Sequence, residues 1–109
     1  MVAWVLLAAA IATEVVGTLA LRASDGLSRV VPTIITVAGY LASFWLLAIV
    51  LKTMPVGIVY AIWSAVGVAL VAVLGKLLFD DPVPPLAMVG MVLIIGGVAL
   101  VSVSGAPGH

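Results

Sequence analysis

The chain has 109 residues, of which 66% are hydrophobic and 7% are charged, and its mean hydropathy is +1.50. This balance lies far outside the range of a soluble globular domain and indicates an integral membrane protein. Four basic residues balance four acidic ones, so no basic surface exists to attract nucleic acid, and the absence of cysteine excludes a disulfide framework, thiol catalysis and any thiolate metal site.

Charged residues and prolines divide the chain into four apolar runs. The predicted helices cover residues 2–21, 31–51, 56–79 and 86–103, and residues 104–109, which include His109, are expected to form a disordered tail. About 20 helical residues cross the roughly 30 Å hydrocarbon layer, and the runs lack the alternating pattern of barrel strands. The expected fold is therefore all-α, a single domain over residues 1–109 with four transmembrane helices.

The first run contains one carboxylate, Glu14, and no intramembrane cation to pair with it. Such an acid costs about 2.5–3.5 kcal/mol to insert into a membrane and usually serves a function. Residues three, four and seven apart share a helix face, so Ala10, Gly17 and Thr18 lie beside Glu14, and two of them are small enough to leave a cavity. The pattern predicts a proton site. Two alternatives stay open: a permanently protonated structural acid, and small residues that merely let helices pack closely.

Two aromatic pairs follow in the second and third runs. Tyr40 and Phe44 are four residues apart, and Tyr60 and Trp63 are three apart, so each pair shares a helix face. Aromatic rings attract organic cations by about 2 kcal/mol or more in a dry site. Together with a carboxylate, these rings indicate a pocket for a lipophilic cation, although plain packing explains the same spacing.

The fourth run has no ionisable residue but carries Gly90 and Gly97 seven residues apart. Two gaps on one helix face permit close association with another helix, either in a second copy of the chain or in the same chain.

The cationic residues at the helix ends are nearly balanced across the membrane, which makes either orientation accessible under the positive-inside rule, although one residue could equally decide a single topology.

Several motifs together resemble the small multidrug resistance family. They are ATEVVGT around Glu14, Gly26 and Pro32 in the first connection, GYLASFWLLA around Tyr40, Pro55 and Gly57 leading into YAIWS, and GMVLIIGGV in the fourth helix. They occur in the family's order and spacing. The resemblance extends from about Trp4 to Val103, which is practically the whole chain.

The resemblance implies an antiparallel homodimer in the inner (plasma) membrane that exchanges protons for hydrophobic cations such as quaternary ammonium compounds and aromatic dyes. It implies neither an enzyme nor a cofactor. Glu14 would be the shared proton and cation site, and Gly90 and Gly97 would lie in the dimer interface. The implied substrate-binding residues are Ala10, Gly17, Thr18, Tyr40, Ser43, Phe44, Tyr60 and Trp63.

Within this family, Gly17, Thr18 and Tyr40 look like the quaternary-cation and multidrug branch, because guanidinium exporters typically have a tryptophan at the position of Gly17. The chain departs from many members at Ala65, where a glycine is common, and at Arg22 and Asp25. A guanidinium or polyamine exporter, and a membrane subunit that does not transport, remain the alternative interpretations.

Overall fold

The computed structural model describes residues 2–104 and contains four helices. They are α1 (Val2–Ala23), α2 (Val30–Val50), α3 (Val56–Phe79) and α4 (Pro85–Val103), and no strand occurs in this described range. Each helix is long and apolar enough to cross a membrane. The predicted all-α fold with four membrane helices is thus confirmed. The last five residues of the predicted tail, with His109, lie outside the described residues, and the single-domain organisation stays a prediction.

Two helices begin one residue earlier than predicted, and each has a proline within its first turn. α4 begins at Pro85 instead of residue 86, with Pro84 in an extended conformation before it. α2 begins at Val30, so Pro32 occupies its third position. The first backbone amides of a helix have no partner in the helix, so proline loses no hydrogen bond at either place.

The connection between α1 and α2 is a tight left-handed turn around Ser24. This residue is fully buried, and its hydroxyl donates to the carbonyl of Leu21 and accepts the amide of Leu27. Asp25, Gly26 and Leu27 all have positive φ, a conformation that only glycine adopts without cost. The bonds of Ser24 hold this turn, which brings α2 back along α1.

The helices form two compact units. The first ends at Lys52 and contains α1 and α2, and the second begins at Thr53 and contains α3 and α4. Within the first unit, Leu7, Ala10, Ile11 and Val15 of α1 are buried. α4 has no buried residue among those described, and its apolar side chains offer a surface suited to lipid or to another membrane helix.

Candidate functional site

Two glycines allow α1 and α2 to approach until their backbones touch. A Cβ atom at Gly39 of α2 would lie 2.7 Å from the carbonyl oxygen of Thr13 and 3.1 Å from the Cα of Gly17. The first distance is shorter than any ordinary contact between carbon and oxygen. Only glycine therefore fits at position 39 while the two helices keep this separation.

Gly17 makes room for the ring of Tyr40. A Cβ atom at Gly17 would lie 2.9 Å from both Cδ1 and Cε1 of that ring and 3.3 Å from the carbonyl oxygen of Thr36. The ring therefore lies flush against the α1 backbone one turn after Glu14. This contact directs the phenol oxygen of Tyr40 towards the hydroxyl of Thr18.

Glu14 is joined to this ring through Thr18. The Thr18 hydroxyl donates to Oε2 of Glu14 over 2.5 Å, and the same hydroxyl oxygen lies 2.8 Å from the phenol oxygen of Tyr40. Threonine at i+4 reaches the carboxylate because residues four apart share a helix face. The site thus contains one carboxylate and two hydroxyl groups in a continuous chain of hydrogen bonds.

A second polar link connects the helices one turn before Glu14. Ser43 of α2 is fully buried, and its hydroxyl donates to the carbonyl oxygen of Ala10 over 2.9 Å. Thr13 donates to the same oxygen over 2.9 Å and to the carbonyl of Ala9 over 3.0 Å. Ser43 has one hydroxyl hydrogen, and this bond uses it. The two helices are therefore tied together on both sides of the carboxylate.

The electrostatic setting of Glu14 contains little positive charge. Glu14 is the sole acidic residue within the four helices, α2 has no charged residue, and the one basic residue of α1 is Arg22. Arg22 lies eight positions after Glu14 in the same helix, which is about 12 Å along the axis. In the described part of the chain no group of three or more metal-ligating side chains could hold a metal ion. In the first unit, Glu14 therefore receives a hydrogen bond from the neutral hydroxyl of Thr18, and Arg22 of the same helix lies more than two turns away.

The structure brings six of the predicted site residues together in the first unit, and these are Ala10, Glu14, Gly17, Thr18, Tyr40 and Ser43. Phe44 lies four residues after Tyr40 in α2, but its side chain is 62% exposed, whereas Tyr40 is half-buried. Tyr40 is the better covered of the two because its ring lies against Gly17 of α1.

The remaining predicted residues lie in the second unit. Tyr60 is 68% exposed and Trp63 is half-buried on α3. Their participation in one pocket with Glu14 stays a prediction. On α4, a Cβ atom at Gly90 or at Gly97 would meet no atom within 4 Å.

Sequence reasoning missed two residues of the α1–α2 contact, Thr36 and Gly39. Thr36 is buried, donates to the carbonyl of Pro32, and presents its own carbonyl oxygen to Gly17. A signal for Gly39 existed, because a glycine inside an apolar helix usually has a packing reason. No such signal marks Thr36.

The fold and the site define a small multi-pass membrane protein with one acidic group inside its helices. The chain belongs to the small multidrug resistance family, since the family described as Small Multidrug Resistance protein matches residues 2–94. Membership in this family makes it a transporter of the inner membrane and not an enzyme.

Curated relatives cover nearly the whole chain. A multidrug transporter of Pseudomonas aeruginosa is 43% identical over 104 residues, which is 94% of this chain and 94% of that protein. The quaternary ammonium compound-resistance protein QacF of Klebsiella aerogenes and the multidrug transporter EmrE of Escherichia coli are each 41% identical over 99 residues, covering 91% of this chain and 90% of the relative. The similarity therefore includes all four helices.

Proposed function

We propose that this protein exports hydrophobic or quaternary organic cations in exchange for protons, and that the proton and the cation compete for Glu14. The observation that carries the proposal is the isolation of this carboxylate: no other acid lies in the four helices, and its bonded partner in the α1–α2 unit is the neutral hydroxyl of Thr18. An ionised carboxylate in hydrocarbon needs a positive partner or a proton. Either ligand meets that need, so each excludes the other.

This competition is sufficient to couple the two flows. A proton that binds Glu14 from the more acidic side removes the charge that held the cation, and the cation leaves. Deprotonation on the other side restores the negative charge and allows the next cation to bind. Each ligand shifts the same equilibrium through its differential affinity, so coupling needs no second site.

The substrate class follows from the names of the relatives and from the aromatic side chains of α2 and α3. QacF is named for resistance to quaternary ammonium compounds, and other relatives, 38% identical, are named as putative ethidium bromide resistance proteins. The rings of Phe44 and Tyr60 are not covered within the described chain, and in this proposal they contact the cation. Aromatic faces bind organic cations without a directional hydrogen bond, which suits cations of varied shape.

Position 17 favours this class over guanidinium export. The Tyr40 ring occupies the space above Gly17, where even a methyl group would lie 2.9 Å from it. A tryptophan, which the guanidinium exporters typically have there, does not fit beside Tyr40 in this position. The Tyr40 ring thus takes the space that a tryptophan at position 17 would need, and this position favours export of hydrophobic cations over export of guanidinium.

The transporting unit in this proposal is an antiparallel homodimer. α4 buries none of its described residues in its own chain, and Gly90 and Gly97 meet no neighbouring atom within 4 Å. These glycines therefore serve no close packing within the described chain, and they leave room for a helix of a second copy. Two oppositely inserted copies would relate the inward-facing and outward-facing states by symmetry.

Proton release measures the competition directly. Tetraphenylphosphonium is added to the purified protein in mild detergent over a range of pH, and the released protons are counted. We expect release wherever Glu14 is protonated before the cation binds, none in Glu14→Gln, and release with a changed pH profile in Glu14→Asp, which keeps the acid on a shorter side chain.

Two further results decide between the alternatives. Release on addition of guanidinium, and none with tetraphenylphosphonium, would identify a guanidinium exporter. Absence of release with every cation, or pH-driven transport retained by Glu14→Gln in vesicles, would refute the proposal.

A further inference from the structure

We propose that Thr18 and Tyr40 are positioning residues that sense the charge of Glu14, because the hydrogen-bond chain between them reverses direction when a proton replaces the cation. This inference rests on the proposed function, since it requires Glu14 to change its ionisation. It adds a role for a residue of α2 in the exchange.

In the ionised state the direction of every bond is fixed. A carboxylate only accepts, so Thr18 must donate its single hydroxyl hydrogen to Oε2 of Glu14. The 2.8 Å contact between the Thr18 and Tyr40 oxygens then has one remaining donor, the phenol hydrogen of Tyr40. The oxygen lone pairs of Tyr40 stay free on its other side, where they favour a cation.

Protonation of Glu14 allows the opposite order. The carboxyl group gains a hydrogen that it can donate to Thr18, and Thr18 can turn its own hydrogen to the oxygen of Tyr40. The phenol hydrogen of Tyr40 then no longer bonds Thr18. It turns to the opposite side of the phenol oxygen, where it disfavours a cation. Each hydroxyl keeps its own hydrogen, and the one proton added is the proton bound by Glu14.

The ring of Tyr40 is held in place independently of these bonds. Its Cδ1 and Cε1 atoms lie against Gly17, and Gly39, the residue before it, is locked against Thr13. A change in hydrogen bonding therefore rotates the phenol O–H without moving the ring. This rigidity makes the direction of the O–H bond, and not the position of Tyr40, the quantity that responds to Glu14.

Within the first unit, Glu14 is also the one charged residue close to the hydrogen bonds between Thr18 and Tyr40. Tyr40 is the one titratable residue of α2, and the other charged residues of the first unit lie at helix ends or in the connecting turn, namely Arg22, Asp25, Arg29 and Lys52. Within the first unit, a change at the Tyr40 hydroxyl that follows the ionisation of a neighbouring carboxylate is thus traced to Glu14. A purely structural role for Tyr40 predicts no such change.

The test uses the fact that the chain has two tyrosines. Tyr60→Phe leaves Tyr40 as the sole tyrosine, and the ring doublet of tyrosine in ultraviolet resonance Raman spectra distinguishes a phenol that donates from one that accepts. The carboxyl stretch in infrared spectra follows Glu14 in the same samples, with Glu14→Gln as the blank. We expect both signals to change together, with the same pH midpoint, and tetraphenylphosphonium to restore the donating form of Tyr40.

Variants at Thr18 distinguish the proposed hydrogen-bond relay from Glu14 through Thr18 to Tyr40 from an effect of packing alone. Thr18→Val keeps the shape but removes the hydroxyl, so the tyrosine signal should lose its pH dependence while the carboxyl band still titrates. Thr18→Ser should restore the coupling. Gly17→Ala, which displaces the ring without removing a polar group, should also abolish it, whereas Gly57→Ala, where a Cβ atom meets nothing within 4 Å, should not.

The possible failures are distinguishable. A carboxyl band that titrates beside an unchanging tyrosine signal, or a tyrosine response that persists in Thr18→Val, overturns the relay and leaves the proposed exchange intact. A carboxyl band that never changes overturns both proposals. If Thr18→Val does not insert, the comparison of Gly17→Ala with Gly57→Ala still decides the question.

Discussion

Replacement of Gly39 by alanine tests whether the contact between α1 and α2 holds the first unit together. The added Cβ atom would lie 2.7 Å from the carbonyl oxygen of Thr13 and 3.2 Å from the amide nitrogen of Gly17. Both are backbone atoms, so no side chain can rotate away. The helices must separate by about 0.7 Å to bring the shorter distance to an ordinary contact of 3.4 Å.

The magnitude follows from two opposing effects. Forcing a methyl group into a packed contact costs about 1–3 kcal/mol. Alanine in place of glycine within a helix regains about 0.8–1 kcal/mol of helix propensity. The expected net loss is about 0–2 kcal/mol of unfolding free energy relative to the unaltered protein, which raises the unfolding equilibrium constant by up to roughly 30-fold, and about 1–3 kcal/mol relative to a glycine-to-alanine control that adds no clash.

Unfolding in mixed micelles measures this loss. The fraction of sodium dodecyl sulfate is raised against a mild detergent, and helix content and tryptophan fluorescence are followed. Gly57→Ala is the matched control, because the same methyl group meets no atom within 4 Å there and should leave stability unchanged or increased. A Gly39→Ala protein as stable as this control would show that the helices are not in backbone contact at Gly39.

Two further predictions concern the rings and the dimer. Trp63→Ala should weaken tetraphenylphosphonium binding about 30-fold, as expected for loss of about 2 kcal/mol of cation–π attraction, and should weaken a small alkyl ammonium ion much less; equal losses in titration calorimetry would argue against stacking. Gly90→Leu combined with Gly97→Leu should shift the protein from dimer to monomer in light scattering with mild detergent, while Val92→Leu, on another side of α4, should not. A double variant that remains dimeric would contradict the assignment of these glycines to the interface.

The sequence predicts the helices of this protein well because hydropathy and breakers act locally. Runs of about 20 apolar residues fit one crossing, and charges or prolines end them, so each predicted boundary lies within two residues of the observed one. The residual differences have local causes. Pro85 is suited to the first position of α4, and α1 continues through Arg22 to Ala23, until the left-handed turn at Asp25 stops it.

The rotation of each helix was harder to predict. In a soluble protein the apolar face identifies the side that packs, but these helices are apolar all round, and lipid accepts the same residues as a core does. Spacing therefore assigned Tyr40 and Phe44 to one face without indicating which ring meets α1. The gap at Gly17 decides this, because it admits the Tyr40 ring against α1, and spacing within α2 cannot indicate a gap in another helix.

In the proposed exchange, the contact between α1 and α2 also positions the carboxylate. Gly17 and Gly39 bring the backbones together, and this closeness places the Tyr40 oxygen 2.8 Å from Thr18, which in turn bonds Glu14. Glu14 is nevertheless only half-buried in the described chain. One oxygen of the carboxylate is thus held by the neutral hydroxyl of Thr18, which in turn bonds the hydroxyl of Tyr40, and part of the side chain is left uncovered. A site that exchanges a proton for a bulky cation needs both properties, because a carboxylate enclosed on all sides would admit the proton alone.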